Sequence, residues 1–250
     1  MYIDVHCHLD SVYYNDIDGV IKRAIDNNVE KMIYNGCDMK TNIEVISRIK
    51  EYDNVYGAIG FHPNELDNIK EEDYLFLEEN IKNKKIVAIG EIGLDYHYDN
   101  VDKEKQQYHF IRQIELAVKY DLPVIVHSRD SISDTYNILK KYPVKGIIHC
   151  FSGSVEMARE FIKIGFYISI GGISTFKNAK NIIEVIKNID MSYILLETDS
   201  PYLTPEPYRK HQNEPMYIPV IASKIAEIKK IDVSSVRDIT TKNAHRLFDF

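Results

Sequence analysis

Short apolar segments alternate along the chain with longer segments in which apolar residues recur every three or four positions. Eight of the short segments are apolar on both alternating faces, which is typical of parallel strands buried on both sides. These segments span residues 2–8, 31–36, 55–60, 86–93, 123–128, 146–151, 165–172 and 194–199. The pattern therefore predicts an α/β protein with eight buried parallel strands.

Most of the segments between the strands predict helices. The clearest covers Asp102 to Tyr120, in which Phe110, Ile114 and Ala117 recur at helical spacing. Similar patterns cover residues 66–83, 131–141, 154–164, 178–189, 217–230 and 233–248. The alternation of eight strands with helices predicts a TIM-type (β/α)8 barrel, a single domain over residues 1–250 with extra C-terminal helices. An open doubly wound sheet is the alternative, but no glycine fingerprint follows the first strand.

Polar side chains fall at one end of the predicted strands. Histidines and carboxylates lie near or just after the carboxyl ends of six of them: His6, His8, His62, Glu91, His127, His149 and Asp199. The carboxyl ends of barrel strands open on one face, so we expect these side chains to converge there. Alternation along the first strand also turns His6 and His8 to one side and Cys7 to the other, where its thiol packs.

This cluster predicts a metal centre. A single histidine on an apolar strand is usually a packing residue, but four histidines and two carboxylates at equivalent places of a barrel are hard to explain by packing. Such ligands suit Zn²⁺, Mn²⁺, Fe²⁺ or Mg²⁺. Six ligands exceed one tetrahedral site, so we expect two ions. Glu91, on a strand between the two histidine groups, is the best candidate to bridge them.

Charge and composition narrow the class of protein. The net charge of −7 argues against a protein that coats nucleic acid with a broad basic surface, but bound cations could still let an enzyme grip a strand end. No apolar run approaches the ~20 residues of a membrane span, and no secretory signal is visible. Three widely spaced cysteines predict no disulfide framework. We therefore expect a cytoplasmic protein with no membrane partner, and a monomer, since no self-association motif is visible.

Several motifs occur in a characteristic order. They are DVHCHLD (4–10), GFHP (60–63), GEIGLDYH (90–97), LPVIVHSRD (122–130), IHCFSGS (148–154), GFYISIGG (165–172), ETDSPYL (197–203) and NEP (213–215). In this order they resemble the TatD family of metal-dependent deoxyribonucleases, within the amidohydrolase-like barrels. The resemblance extends from residue 2 to the NAHRLF motif at 243–248, and the ordered set is far more specific than any single motif.

The resemblance implies two divalent ions, Mg²⁺ or Mn²⁺ with Zn²⁺ as a further candidate, and hydrolysis of DNA, commonly from the 3′ end of single strands. Residue by residue, it assigns the following roles. His6 and His8 match the first metal-binding pair, and His127 and His149 match the second. Glu91 matches the bridging carboxylate, and Asp199 matches a metal-binding aspartate that accepts a proton from water. His62 and Arg129 match positions near the substrate.

Three of the polar residues near the predicted centre have alternative interpretations. Arg129 could hold a phosphate through paired hydrogen bonds, or form a salt bridge to a neighbouring carboxylate. His62 could donate to a phosphate or a leaving oxygen as the imidazolium, or only cap a loop. Asp95 could orient a metal ligand, or only cap the loop.

Two other functions stay open. The chain could be a metal-dependent hydrolase of a small amide, lactone or phosphoester substrate, because fold does not fix function. Many such enzymes bridge their ions with a carbamylated lysine on the fourth strand, where this chain has Glu91. A non-catalytic scaffold on the same barrel would be expected to have lost ligands, yet all six are present.

Overall fold

A computed structural model, which describes residues 1–250, contains one eight-stranded parallel sheet in the order β1 to β8. The strands are β1 Tyr2–Cys7, β2 Val29–Asn35, β3 Val55–Ile59, β4 Ile86–Asp95, β5 Val124–Arg129, β6 Gly146–Ile148, β7 Phe166–Ile170 and β8 Ile194–Leu196. Beyond β8 the chain returns to the end of β1, where the Asp199 amide donates to the His6 carbonyl at 3.0 Å and the His8 amide donates to the Ser200 carbonyl at 2.7 Å. The sheet is thus a nearly closed (β/α)8 barrel, which confirms the predicted fold.

Nine α-helices surround the barrel. They are α1 Ile17–Asp26, α2 Met39–Glu51, α3 Glu71–Asn80, α4 Lys103–Tyr120, α5 Ile132–Leu139, α6 Val155–Lys163, α7 Lys180–Asn188, α8 Ile218–Lys229 and α9 Val233–Leu247. None of these helices combines the length and the apolar character needed to cross a membrane. The two helices after β8 match the predicted C-terminal pair.

Helices α1 and α2 were not singled out by the apolar pattern. Each begins at an aspartate that caps it: Asp16 accepts from the Gly19 amide at 2.9 Å, and Asp38 accepts from the Thr41 amide at 2.7 Å. The predicted segment 66–83 is a helix only from Glu71, after a cap in which Asp73 accepts from the Lys70 amide at 2.7 Å. Capping by side chains, rather than apolar spacing, therefore decides where these helices begin.

The buried side chains of the strands alternate between two apolar clusters. On β5, Val124 and Val126 belong to the larger cluster that includes the helices, whereas Ile125 belongs to a smaller one. The smaller cluster gathers Ile33, Ala58, Val87, Ile125, Ile147 and Leu195, together with Leu247 and Phe248 near the C-terminus. Side chains two residues apart on a strand face the same way, so His127 follows Ile125 and His149 follows Ile147. This register turns both histidines toward the barrel interior.

Gly93 on β4 allows β4 and β5 to approach closely. Its φ is +146°, and a Cβ there would lie 2.0 Å from the carbonyl oxygen of His127. We expect Gly93→Ala to destabilise the fold by about 3 kcal/mol or more, because the backbone of β5 must move, and to displace His127. Gly165→Ala is the matched control, since Gly165 also has positive φ, +93°, but nothing within 4 Å of the added Cβ. Denaturant unfolding measures both, and equal losses would contradict the role of the close approach.

Candidate metal centre

The mouth of the barrel holds a cavity of about 620 Å³. Five of the six predicted metal ligands line it, and the sixth, His6, is fully buried beside His8, with their Nε2 atoms 3.2 Å apart. The two predicted substrate residues, His62 and Arg129, line the same cavity. All eight predicted site residues therefore meet at one place, although they come from six different strands or the loops that follow them.

Glu91 lies between two groups of histidines. Its Oε2 is 3.4 Å from Nε2 of His6 and 3.5 Å from Nε2 of His8. Its Oε1 is 2.9 Å from Nδ1 of His127 and 2.9 Å from Nε2 of His149. Each carboxylate oxygen thus faces one histidine pair, which is the arrangement that a bridging carboxylate requires.

Asp199 joins the first of these pairs from the other side. Its Oδ1 is 3.4 Å from Nε2 of His6 and 3.7 Å from Nε2 of His8. The residue has φ of +55°, in the left-handed region that residues other than glycine adopt infrequently and that aspartate tolerates better than most. The tight turn after β8 therefore directs this carboxylate into the centre.

Neighbouring polar groups fix the rings of His8 and His127. Nδ1 of His8 donates to the Asn35 carbonyl at 3.0 Å, so Nε2 faces the centre. Burial acts to lower the pKa of His8, but Cys37, Asp199 and Glu91 raise it well above its ordinary value, so an ion must displace the proton on Nε2. Nε2 of His127 lies 3.3 Å from Oδ2 of Asp95, so Nδ1 faces the centre. Such partners orient metal-binding imidazoles in known sites. The structure thus places Asp95 where it orients His127, in line with one of its two sequence-based interpretations.

The donor set fits a divalent metal ion. Ring nitrogens meet in pairs, His6 with His8 and His127 with His149, each at 3.2 Å. Three overlapping groups of donors have their ligand atoms within 4.8 Å of one another: His6, His149 and Asp199; His6, His8 and Glu91; and His62, Glu91 and His127. Nitrogen lone pairs that converge next to carboxylates in a buried site are satisfied by a shared cation. This chemistry agrees with the imidazole and carboxylate set predicted from the sequence.

Comparisons with known proteins show which family the chain belongs to. The family model described as "TatD related DNase" matches residues 3–249. The chain belongs to the TatD family. It is 45% identical over 252 residues to the uncharacterized metal-dependent hydrolase YabD of Bacillus subtilis, covering 99% of each protein. It is 36% identical to the uncharacterized metal-dependent hydrolase YcfH of Escherichia coli K12, covering 98% of this chain and 95% of that protein.

Solved structures show the same TatD-family barrel. The crystal structure of YjjV, a TatD homolog from Escherichia coli K12, superposes with a TM-score of 0.94 at 29% identity and covers 100% of this chain and 98% of that one. A TatD-family hydrolase from Entamoeba histolytica gives a TM-score of 0.84 at 29% identity, with 99% and 97% of the two chains covered. The family and the fold predicted from the motifs are therefore confirmed.

The electrostatics of this TatD-family centre keep its carboxylates ionised. Burial acts to raise the pKa of the Glu91 carboxyl, but the surrounding imidazoles, His149 foremost, hold the pKa well below its usual range. Burial acts in the same way on Asp199, and hydrogen bonds from His6 and His8 outweigh it, so the pKa of Asp199 is also lowered. Burial acts to lower the pKa of His149, but Glu91 and Glu197 raise it well above its ordinary value. A metal ion must therefore displace protons from this centre.

His62 lies at the mouth as expected, but as a neutral ring. Burial lowers the pKa of His62 to about 3, so the imidazolium form proposed from the sequence is not populated near neutral pH. Its Nδ1 accepts from the Asn64 amide at 3.2 Å, so Nε2 carries the proton and points toward Oε1 of Glu91 at 3.5 Å. His62 is therefore a neutral hydrogen-bond donor at the edge of the centre.

Arg129 is free of the salt bridge that was its alternative role. No carboxylate lies within ion-pair distance of its guanidinium, because Asp130 pairs with His97 at 2.8 Å instead. The guanidinium carbon lies 5.7 Å from the centre of the Tyr98 ring, at the edge of the cavity. Arg129 is thus available to an anion that enters the mouth.

Cys37 is a neighbour of the centre that the sequence analysis did not identify. Its Sγ lies 3.7 Å from Oε2 of Glu91 and 3.9 Å from Nδ1 of His8. Burial raises the pKa of this thiol to about 12, so it is a neutral donor at physiological pH. Cys37 follows the end of β2, and the rule that collected the other polar residues at strand ends would have included it.

Proposed function

We propose that the chain is a divalent-metal-dependent hydrolase of DNA phosphodiester bonds that acts on single-stranded ends in the 3′ to 5′ direction. The observation that carries the proposal is Glu91, whose two oxygens each face one histidine pair. His6, His8 and Asp199 would hold one ion, His127 and His149 the other, and Glu91 would be shared. The family match and the relatives named as metal-dependent hydrolases support this assignment.

The residues around the centre have separate roles in this proposal. Two bound ions supply charge neutralisation for a phosphate and a lowered pKa for a water molecule. Asp199 is ionised and lines the cavity, so its carboxylate accepts the proton of the attacking water. Arg129 donates hydrogen bonds to the non-bridging oxygens of the phosphate, since no carboxylate of the protein forms an ion pair with its guanidinium. His62 is a neutral ring that donates a hydrogen bond to the substrate from its protonated Nε2.

The charge of the cavity supports dependence on metal ions. Acidic side chains outnumber basic ones on its wall: Asp10, Asp38, Glu65, Glu91, Asp95 and Asp199 against Lys40 and Arg129. In the absence of ions the protonated imidazoles of the wall are paired with these carboxylates and offer little net positive charge to a phosphodiester. Divalent cations reverse the local sign, so substrate binding and chemistry both depend on them.

The proposal includes a monomeric enzyme of the cytoplasm. One chain supplies every side chain of the centre, so no second copy is needed to complete it. All three cysteines are free thiols, which suits a reducing compartment.

The test is an assay with purified protein, a 5′-labelled single-stranded oligonucleotide and Mg²⁺ or Mn²⁺. We expect a ladder that shortens from the 3′ end and that disappears in His127→Ala, because this variant removes one ligand of the second pair. His245→Ala is the matched control, since His245 is exposed on α9. If the wild type binds metal but cleaves no DNA under any ion, the alternative hydrolase of a small amide, lactone or phosphoester substrate replaces the proposal.

A further inference from the structure

Tyrosines gather at the mouth of the barrel. Six tyrosines of the chain are exposed: Tyr13, Tyr98, Tyr108, Tyr193, Tyr202 and Tyr208. Three of them, Tyr13, Tyr98 and Tyr202, line the cavity that contains the centre, and their exposed fractions are 39%, 55% and 48%. They come from three separate loops, after β1, β4 and β8. Exposed aromatic faces beside a charged centre are a feature that neither folding nor metal binding explains.

Tyr13 and Tyr202 form one platform. Their rings meet edge to face with centroids 5.7 Å apart, and their hydroxyls lie 2.5 Å apart. The Tyr202 ring also lies 6.3 Å from the ring of His8, so the platform borders the centre directly. The Gln212 side chain donates to the Tyr13 carbonyl at 2.9 Å and holds the loop. The platform is thus ordered before any ligand arrives, which lowers the entropic cost of stacking on it.

Tyr98 stands on the other side of the mouth. It follows β4, whereas Tyr13 and Tyr202 follow β1 and β8, and these positions are opposed in an eight-stranded ring. Its loop is held by two contacts of His97, whose amide donates to Oδ1 of Asp95 at 3.0 Å and whose Nδ1 lies 2.8 Å from Oδ2 of Asp130. Arg129 lies beside the Tyr98 ring, so a flat aromatic face and a phosphate donor are adjacent.

We propose that Tyr98 and the Tyr13–Tyr202 pair are stacking platforms for unpaired nucleobases on the two sides of the scissile phosphate. This inference rests on the proposed nuclease function and specifies how the substrate is recognised. Aromatic faces stack on any base, so the platforms bind without sequence preference. Bases held in a duplex are already stacked and paired, and their faces are not available. The platforms therefore select single-stranded ends and place the phosphate between them over the centre.

The experiment compares two substrates that differ only in their bases. One is a single-stranded oligonucleotide, and the other is the same oligonucleotide with abasic residues at its last positions. We expect Tyr98→Ala and Tyr202→Ala each to raise KM about tenfold on the first substrate, with a small change in kcat. On the abasic substrate the wild type already has a higher KM, and the same variants do not raise KM further. Tyr98→Phe and Tyr202→Phe keep the aromatic face and retain the wild-type KM.

Tyr108→Ala is the matched control, because Tyr108 is exposed on α4 away from the cavity and should leave KM unchanged. Quenching of 2-aminopurine in the oligonucleotide reports stacking independently of cleavage. If the protein cleaves DNA but the tyrosine variants raise KM equally on both substrates, or do not raise KM at all, the platforms are overturned and the nuclease function is left intact. Quenching that depends on the tyrosines in a protein that does not cleave supports the platforms and overturns the nuclease function. A wild type that neither cleaves nor quenches overturns both.

Discussion

Glu91→Gln is expected to reduce phosphodiester turnover by at least about 10³-fold while the barrel stays folded. The two side chains have nearly the same shape, so packing is preserved. The amide, however, cannot offer two anionic oxygens to His6 and His8 on one side and to His127 and His149 on the other. We expect the protein to retain less metal after dialysis as well as less activity, because the shared ligand has lost its charge.

Turnover on the single-stranded oligonucleotide, metal content by mass spectrometry and far-UV circular dichroism measure these effects. Glu79→Gln is the matched control, since Glu79 is exposed on α3 and should change none of the three. Unchanged turnover in Glu91→Gln, with a normal metal content, would remove the bridging role and with it the observation that carries the proposed function. Lost activity with an unfolded spectrum would instead show that Glu91 holds the fold.

Removal of divalent ions by a chelator is expected to abolish hydrolysis and to lower Tm by about 5 to 10 °C. An ion present at about 100 times its Kd adds about 2.7 kcal/mol to stability, and each 1 kcal/mol shifts Tm by about 2–4 °C in a chain of this size. Thermal unfolding before chelation, after chelation and after return of Mn²⁺ measures the shift, and readdition should restore both Tm and activity.

The same centre predicts how metal affinity depends on pH. The pKa of His149 is raised, since Glu91 and Glu197 outweigh the effect of burial, so at neutral pH this ring holds a proton that the ion must displace. Affinity should therefore fall as the pH falls and rise as the pH rises. Titration calorimetry in buffers of different ionisation enthalpy measures the protons released. Metal binding without proton release would contradict the proposed centre. In the chelation experiment, unchanged Tm and activity would contradict it as well.

Sequence analysis located most of the barrel because its strands are apolar on both faces. Seven of the helices were also expected, including α4, whose apolar stripe is long and regular. Helices α1 and α2 were not named, although the buried residues of α1, Ile17, Val20, Ile21 and Ala24, recur at helical spacing and the sequence therefore carried the signal. Their starts are set by the aspartate caps. The motifs predicted the family, and the match over residues 3–249 confirms it.

The candidate site was predicted as a set of residue types at strand ends. The sequence could state that His6 and His8 share a face, because alternation along a strand is local. Which oxygen of Glu91 faces which histidine pair could not be predicted from the sequence, because this depends on the position of β4 relative to β1, β5 and β6. Nor could it state that His62 is neutral, since the burial that lowers its pKa to about 3 comes from groups distant in sequence. The roles of these residues as ligands stay predictions for the experiments above.

The sequence by itself therefore determined the fold class, the family and the inventory of chemical groups, because periodicity is a property of neighbouring residues and the order of the motifs can be read along the chain. Tertiary structure decided the geometry of the centre and its surroundings. It brought Cys37 to 3.7 Å from Glu91, turned Asp95 toward His127, released Arg129 from its neighbouring carboxylates and opposed Tyr98 to Tyr202 across the mouth. Each of these arrangements involves residues from different strands or loops. Their distances follow from closure of the barrel, which no local segment of the sequence specifies.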